Sequence, residues 1–284
     1  MYNILVTGAK GQLGSELKDL EVNYPQYNFY FTDVQELDIT NQISVKSFIE
    51  HNNIEIIINC AAYTAVDKAE SEFEINNQIN HLAVKNFAEI SKDKNIKMIH
   101  ISTDYVFDGK NYKPYVESDS INPQSVYGET KLAGEVSMLT INPKNSIIIR
   151  TSWVYSSYGN NFVKTMLRLG SVKEEVSVIF DQVGTPTYAR DLAKVILEIL
   201  SQINNSKVEI YHFSNQGVCS WYDFAKAIFE LRGINVKVNP IETHEYLTSA
   251  KRPFYSVLNK NKITTTFNIK VPYWRDSLAK CLEK

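Results

Sequence analysis

The sequence has few cysteines, no long apolar run and almost no excess charge, and each of these absences argues against a class of protein. Its three cysteines, Cys60, Cys219 and Cys281, are odd in number and far apart, unlike a disulfide framework or a cysteine zinc site. The five histidines lack the spacing of metal ligands. A net charge of -2 provides no basic surface for nucleic acid.

No segment is long and apolar enough to cross a bilayer. The first residues, MYNILVTGAK, lack the basic and apolar regions of a signal peptide. We therefore expect a cytoplasmic protein that binds neither membranes nor nucleic acid. A length of 284 residues fits one large domain or two small ones.

A short β-branched run followed by a longer segment of helical periodicity recurs along the chain. The runs are YNILVTG, NFYFTD, IEIIINCAA, KMIHIST, NSIIIRTS and VSVIF. Most of them are continuously apolar, which is typical of strands that are covered on both faces, as in a parallel sheet. The alternation predicts an α/β fold with a doubly wound, Rossmann-type parallel sheet, whose ligand crevice lies at the carboxyl ends of the strands.

The alternation of strand and helix patterns changes after Arg150, where aromatic, glycine and asparagine residues become frequent. Further on, prolines at Pro240, Pro253 and Pro272 separate short helical segments. We expect a dinucleotide-binding domain made of residues 1–150 and about 183–213. A smaller C-terminal α/β substrate lobe would combine residues 151–182 with 214–284.

The first strand is followed directly by GAKGQLG, which has glycines at Gly8, Gly11 and Gly14. The usual dinucleotide fingerprint is G-x-G-x-x-G, so this spacing is a variant. Glycine lets backbone N–H groups approach a pyrophosphate, and the helix that starts near Gln12 points its positive end at the phosphates. The pattern predicts nucleotide binding; a plain strand-to-helix turn is the alternative.

Asp33 ends the second strand, where a carboxylate can accept hydrogen bonds from the ribose hydroxyls of an adenosine. It favours NADH, because it would repel a 2′-phosphate, whereas Lys10 in the glycine loop would attract one. The choice between NADPH and NADH therefore stays open. A surface turn residue is the alternative interpretation of Asp33.

Two segments place a tyrosine four residues before a lysine: Tyr127 and Lys131 in VYGETKLAGE, and Tyr222 and Lys226 in SWYDFAKAI. Such a spacing puts both side chains on one helix face. Only the first pair follows a strand end of the sheet, in IHISTDYVFDG, where Thr103 leaves the strand at the ligand edge. The second pair has aromatic neighbours that are typical of packing.

A strand-end hydroxyl followed by Tyr-x-x-x-Lys resembles the extended branch of the short-chain dehydrogenase/reductase family. The segments GQLG, NCAAYTAVDKAE, ISTDYVFDG, VYGETKLAGE, RTSWVY, GNNFVKTML, DQVGTPT and SWYDFA occur in this order across nearly the whole chain. Together they resemble the dTDP-4-dehydrorhamnose reductase family. The resemblance implies reduction of the 4-keto group of dTDP-4-dehydro-L-rhamnose to dTDP-L-rhamnose, with NADPH or NADH as the cofactor.

The resemblance also implies three catalytic roles. Tyr127 would donate a proton, and the ammonium of Lys131, together with a nicotinamide, would lower the pKa of its phenol. Lys131 would also hold the nicotinamide ribose. Thr103 would hydrogen-bond the reacting oxygen and fix its position.

Further residues are implied as ligand contacts. On the cofactor side these are Gln12 and Leu13 at the pyrophosphate, Asp38 and Ile39 beside the adenine, and Ala61, Ala62 and Tyr63 along the cofactor path. On the side of the dTDP-sugar they are Thr103, Asp104 and Trp153 at the sugar, and Asn161, Phe162 and Arg252 at the nucleotide. Tight packing is the alternative for the alanines, a core aromatic for Trp153, and a surface ion pair for Arg252.

Some members of the family place magnesium at a dimer interface, on a first-helix carboxylate and two consecutive acids before a later helix. Glu16 and Asp191 fit this pattern, but position 190 is Arg190. A cation in place of a carboxylate argues against a divalent metal. We therefore expect no metal site, and a monomer or a weak homodimer.

Three alternatives share the fold. A sugar-nucleotide 4,6-dehydratase would have an acidic pair after the strand-end threonine, whereas Thr103 is followed by Asp104 and Tyr105. A 4-epimerase is not excluded by the sequence. Regulatory subunits of methionine adenosyltransferase, which are related to these reductases, bind a cofactor without turning over a sugar. The combination of Thr103, Tyr127 and Lys131 argues against such a purely binding role.

Overall fold

The computed structural model describes residues 1–284 and contains twelve strands. In chain order they are Tyr2–Thr7 (β1), Tyr27–Thr32 (β2), Ile56–Asn59 (β3), Lys97–Thr103 (β4), Ile147–Thr151 (β5), Val154–Tyr155 (β6), Glu175–Ile179 (β7), Val183–Gly184 (β8), Thr187–Tyr188 (β9), Glu209–His212 (β10), Cys219–Ser220 (β11) and Lys237–Ile241 (β12).

Eleven α-helices connect them. They are Gln12–Leu20 (α1), Gln42–His51 (α2), Val66–Ala69 (α3), Phe73–Asn77 (α4), Ala83–Lys94 (α5), Val126–Ile141 (α6), Phe162–Gly170 (α7), Ala189–Ile199 (α8), Trp221–Leu231 (α9), Asn261–Phe267 (α10) and Trp274–Leu282 (α11). A π-helical turn, Gln78–Leu82, joins α4 to α5. None of these helices has the length and apolarity that a membrane span requires.

Six of the strands form one parallel sheet in the order β10-β5-β4-β3-β1-β2. One apolar cluster joins α1, α8 and α10 to one face of this sheet, and a second joins α2, α5 and α6 to the other. The predicted doubly wound fold is confirmed. Because the strand order reverses between β1 and β3, a crevice opens there at the carboxyl edge.

Five of the six predicted strand runs lie in this sheet, but VSVIF does not. It forms β7, which pairs with β12 in a separate two-stranded sheet. Its burial alternates, with Val176 and Val178 inside and Glu175 and Ser177 exposed, because only one of its faces is covered. The sixth strand of the main sheet is β10, which was not predicted because Glu209 and His212 interrupt its apolar pattern.

A second lobe forms beside the carboxyl edge of the sheet. Helices α7, α9 and α11 pack with β7 around a third apolar cluster, which includes Val163, Phe224, Ile228 and Leu278. The short pairs β11–β8 and β6–β9 lie in the same part of the chain. This lobe forms one wall of the crevice.

An ion pair between Arg150 on β5 and Glu135 on α6 lies inside the protein. The guanidinium Nη2 is 2.7 Å from Oε2, Nε is 3.0 Å from Oε1, and the side chains are only 2% and 0% exposed. The hydroxyl of Ser102 on β4 also donates to Glu135. A buried charge is tolerated only when it is paired, so this contact fixes α6 against two strands.

We predict that Glu135→Leu lowers the free energy of unfolding by about 3–5 kcal/mol, because it leaves the guanidinium of Arg150 buried without a partner. The double variant Glu135→Leu/Arg150→Met removes both charges and should lose much less. Urea unfolding followed by circular dichroism measures both. Equal losses in the single and double variants would contradict the argument.

Candidate active site

A cleft of about 1060 Å³ runs along the carboxyl edge of the sheet, from the glycine loop to the second lobe. Most of the residues predicted for the site line it: Gly8, Gly11, Gln12, Leu13, Asp33, Asp38, Ile39, Ala61, Ala62, Thr103, Asp104, Tyr127, Lys131, Trp153 and Asn161. Four of them do not line it: Gly14, Tyr63, Phe162 and Arg252.

The glycine loop has the geometry of a phosphate cradle. Gly8 has φ +66°, and a Cβ at Gly14 would lie 2.4 Å from the carbonyl oxygen of Gly8, so α1 packs directly on the loop. The backbone N–H groups of Gln12 and Leu13, at the start of α1, donate to no group of the protein. Free donors at a helix N-terminus beside a cleft fit the pyrophosphate of a dinucleotide.

Asp33 and Lys10 lie at the rim of this cradle. The Asp33 carboxylate accepts hydrogen bonds from the backbone N–H groups of Lys10 at 3.0 Å and Val34 at 2.9 Å. The Lys10 ammonium lies 3.0 Å from a carboxylate oxygen of Glu36. A ribose hydroxyl or a 2′-phosphate would compete with these contacts, so they do not by themselves distinguish NADH from NADPH.

The remaining cofactor candidates lie on the loops after β2 and β3. The Asp38 carboxylate accepts from the N–H and the hydroxyl of Thr40, at 2.9 and 2.7 Å. A Cβ at Gly8 would lie 2.8 Å from Cα of Ala61, so the first and third strand-end loops touch. The small residues Ala61 and Ala62 follow from this approach and leave the cleft open beside the cradle.

The end of β4 and the start of α6 bring the three predicted catalytic residues to the cleft. Thr103 is the last residue of β4, whereas Tyr127 lies in the first turn of α6 and Lys131 one turn later. A Cβ at Gly128 would lie 2.4 Å from the carbonyl oxygen of Tyr105, which shows how closely α6 approaches the strand end. The rings of Tyr105 and Tyr127 meet edge to face, with centroids 5.4 Å apart.

The phenol of Tyr127 is protonated in the free protein. Burial raises its pKa above the usual value; the Thr103 hydroxyl opposes this rise, and the Asp104 and Tyr105 side chains add to it. The lowering that we expect from Lys131 together with a bound nicotinamide stays a prediction, and in the protein alone desolvation of the phenolate dominates. A protonated phenol is the form that can donate a proton.

Lys131 is 1% exposed, and its ammonium donates to the carbonyl oxygen of Ile101 at 2.6 Å. His100 Nε2 lies 3.4 Å from the same nitrogen. Burial lowers the pKa of Lys131 to about 8, and the neighbouring Glu135 and Cys60 oppose this fall. His100 was not singled out from the sequence. The available signal was a polar residue inside an otherwise apolar strand.

Asp104 follows Thr103 and faces the cleft. The Thr103 hydroxyl donates to its Oδ1 at 3.0 Å, whereas Oδ2 is buried without a hydrogen-bond partner. Burial raises the pKa of this carboxyl to about 7. Near neutral pH the group is therefore available in both forms, and its free oxygen can accept a hydroxyl group of a ligand.

The aromatic wall of the cleft is Trp153, which has φ +49°, a region that bulky residues rarely adopt. Its ring stacks on that of Trp221, with centroids 3.5 Å apart and planes at 7°. Phe162 packs behind them, against Trp221 and Phe224. The Asn161 side chain caps α7 by accepting a hydrogen bond from the backbone N–H of Lys164. This contact fixes the start of that helix beside the cleft.

The other two predicted contacts outside the lining have partners in the protein. The hydroxyl of Tyr63 donates to Glu72. The Arg252 guanidinium pairs with Asp67, Nη2 to Oδ2 at 2.6 Å, and its Nη1 lies 3.3 Å from the hydroxyl of Tyr105. Tyr105 lines the cleft, so Arg252 lies just behind the lining.

Of the residues compared above with a magnesium site, Glu16 is paired with two cationic side chains. Glu16 is fully buried, and its Oε2 lies 3.0 Å from Nη1 of Arg190 and 3.1 Å from Nζ of Lys284. Asp191 is engaged elsewhere and accepts from the Asn215 amide at 2.8 Å. These residues do not fit a divalent metal, because two cations already satisfy the carboxylate. The absence of a metal stays a prediction.

The second tyrosine–lysine pair has no part in this cleft. Tyr222 packs against the apolar cluster of the second lobe, and Lys226 is exposed on α9. A phosphate cradle and a buried threonine–tyrosine–lysine set therefore share a single cleft on a doubly wound sheet. That combination defines an oxidoreductase of the short-chain dehydrogenase/reductase class.

The comparisons with known proteins narrow this class. A family model described as "RmlD substrate binding domain" matches residues 2–284. The chain is 44% identical over 288 residues to the dTDP-4-dehydrorhamnose reductase of Aggregatibacter actinomycetemcomitans, covering 98% of this chain and 97% of that protein. The chain belongs to the dTDP-4-dehydrorhamnose reductase family.

Two crystal structures of dTDP-4-dehydrorhamnose reductases are similar over the full length. The one from Clostridium acetobutylicum has a TM-score of 0.93 and 45% identity, and covers 99% of this chain and 98% of its own. The one from Bacillus anthracis, in complex with NADP, has a TM-score of 0.94 and 40% identity, and covers 100% of this chain and 99% of its own.

We predict that Asp104→Asn stabilises the protein at pH 8 relative to wild type, and much less at pH 5. The folded-state pKa of about 7 is above the ordinary value of 3.8, so the folded state binds more protons between these values. Wild-type stability therefore falls as the pH rises through this window. The expected gain at pH 8 is about 1–4 kcal/mol.

Urea unfolding at the two pH values measures this effect. Asp93→Asn, which changes an exposed carboxylate on α5, is the matched control and should shift neither value. The same pH dependence in wild type and Asp104→Asn would contradict the prediction.

Proposed function

We propose that the protein reduces the 4-keto group of dTDP-4-dehydro-L-rhamnose to dTDP-L-rhamnose with NADPH or NADH. The observation that carries the proposal is the convergence of Thr103, Tyr127 and Lys131 in the cleft that begins at the phosphate cradle. The full-length similarity to reductases of this family supports the choice of a dTDP-sugar substrate.

The cradle would hold the cofactor pyrophosphate on the free N–H groups of Gln12 and Leu13. Lys131 would hold the nicotinamide ribose. When bound, the cofactor supplies a hydride to the carbonyl carbon. The side chains of the protein position the sugar and donate one proton to it.

The proton comes from Tyr127. Its buried phenol keeps its proton until negative charge develops on the carbonyl oxygen of the sugar, and it then donates. The Thr103 hydroxyl at the strand end fixes that oxygen. The Lys131 ammonium stabilises the phenolate that remains. The free Oδ2 of Asp104 accepts a sugar hydroxyl and orients the ring.

We propose that one lobe binds the cofactor and the other binds the substrate. Residues 1–150 and about 183–213 form the dinucleotide-binding domain, which is supported by the place of β10 in the main sheet and of α8 against α1. Residues about 151–182 and 214–284 form the substrate lobe, which is supported by its own apolar cluster, although α10 within this range packs on the main sheet. We further propose a cytoplasmic protein, since its three cysteines are unpaired, and a monomer or weak homodimer, since Arg190 argues against a metal that would join two subunits.

A single assay tests the proposal. Purified protein is mixed with the 4-keto-6-deoxy sugar nucleotide and either NADPH or NADH, and the absorbance of the reduced cofactor is followed. Rapid oxidation with either cofactor supports the reductase. Tight cofactor binding without oxidation would overturn it and favour a regulatory, purely binding role.

Tyr127→Phe should lower turnover at least about a hundredfold, because it removes the proton donor. Cofactor affinity, measured by fluorescence titration, should change little. Tyr222→Phe, in the other tyrosine–lysine pair, is the matched control and should turn over like wild type. Wild-type turnover in Tyr127→Phe would remove this phenol from the mechanism.

A further inference from the structure

A row of buried polar side chains crosses the sheet beneath the cleft. Thr7, Asn59 and His100 are paired in register on the neighbouring strands β1, β3 and β4, and all three are 0% exposed. Their strand neighbours on the same face, Leu5 and Ile57 among them, belong to an apolar cluster. A polar row inside an apolar face needs a reason, because its hydrogen bonds must all be made internally.

The row ends at the ammonium of Lys131. The Thr7 hydroxyl donates to Asn59 Oδ1 at 2.7 Å, and Asn59 Nδ2 lies 3.1 Å from His100 Nδ1. His100 Nε2 lies 3.4 Å from Lys131 Nζ, a longer contact than the 2.6 Å from that nitrogen to the carbonyl oxygen of Ile101. The four side chains thus form one continuous chain of contacts.

The donor and acceptor inventory fixes the direction of this chain. An ammonium only donates, so His100 Nε2 must accept from it, and the ring proton must be on Nδ1. The Nδ1–H group then needs an acceptor, which requires the oxygen and nitrogen of the Asn59 amide to exchange places relative to the structure, so that Oδ1 faces His100 and the NH₂ group faces the hydroxyl of Thr7. With the amide as it stands in the structure, Nδ2 donates to His100 Nδ1, Nε2–H faces Lys131, and only a neutral amine could accept from it.

We propose that His100 is a positioning residue for the reaction: its neutral ring, protonated on Nδ1 and held by Asn59 and Thr7, accepts a hydrogen bond from the Lys131 ammonium. The role in the reaction rests on the proposed function; the tautomer does not. Without His100, the carbonyl of Ile101 would be the one protein acceptor left within hydrogen-bond distance of this buried ammonium.

The other groups around Lys131 do not replace His100. From α6, Glu135 faces it, but that carboxylate is paired with Arg150, and the phenol of Tyr127 is protonated. After β3, burial raises the pKa of the Cys60 thiol, so it is neutral. Burial also lowers the pKa of His100 well below its usual value, and the Lys131 cation adds to this effect, so the ring is neutral.

The tautomer can be measured on the free protein. Long-range ¹H–¹⁵N NMR distinguishes the two neutral forms of each of the five histidines, and the His100→Gln variant assigns the signal. We expect the Nδ1–H form at pH 6.5 and conversion to the Nε2–H form as the pH rises through the pKa of Lys131. An Nε2–H form or a doubly protonated ring at pH 6.5 would overturn the proposal.

Three substitutions of fully buried histidines test the effect of His100 on the reaction. His100→Leu removes the acceptor, which destabilises the ammonium, so the alkaline limb of the kcat profile should move down by about one pH unit and kcat at pH 8 should fall about fivefold. His100→Gln supplies an oxygen acceptor and should restore the limb. His212→Leu, a fully buried histidine on β10, is the control and should leave the limb unchanged.

Thermal melting and cofactor titration confirm that each variant is folded. A wild-type alkaline limb in folded His100→Leu, or an equal shift in His212→Leu, would overturn the positioning role. If wild type itself turns over no 4-keto sugar nucleotide, the proposed function fails, whereas the NMR experiment still decides the tautomer.

Discussion

Parallel pairing of β1, β3 and β4 in one register is the constraint on which both the core and the site depend. It sets Thr7 opposite Asn59, and Asn59 opposite His100. The same register brings the loops that follow these strands to one edge, where they line a common cleft. A slip of one residue would turn the polar row of a strand towards the opposite face, which packs on the apolar side of α1.

Helix α6 packs on these strands and carries two of the residues that are proposed to be catalytic. Tyr127, Lys131 and Glu135 are spaced by four residues, so they lie along one face of the helix. The first two reach the cleft, and the third is held inside by Arg150. The structural ion pair therefore orients the catalytic pair, because all three side chains turn together when the helix turns. The i, i+4 spacing of Tyr127 and Lys131 fixes the direction of their side chains only because Glu135, on the same helix face, is held in place.

The sequence was sufficient for the parts of this arrangement that repeat. Continuous apolar runs predicted β1 to β5, and the glycine spacing located the phosphate cradle. The edge strand β10 was missed because Glu209 and His212 break its apolar pattern. Asn59 and His100 are visible in the sequence as polar residues in apolar strands, but their relation to Lys131 depends on strand register and helix docking. The partners of Arg252 and Phe162 depend on loop geometry in the same way.

Burial acts on Tyr127, Asp104 and Lys131 in the same sense, towards the uncharged form of each. It raises the pKa of Tyr127 and Asp104 and lowers that of Lys131. The phenol can then give up its proton only where an opposite charge is present to stabilise the product. The acceptors around Lys131 therefore matter more than its proximity to Tyr127, because they decide whether the lysine is still a cation when the phenolate forms. In the proposed mechanism, the spacing of Tyr127 and Lys131 is therefore not enough by itself, and the buried groups around the lysine keep it charged.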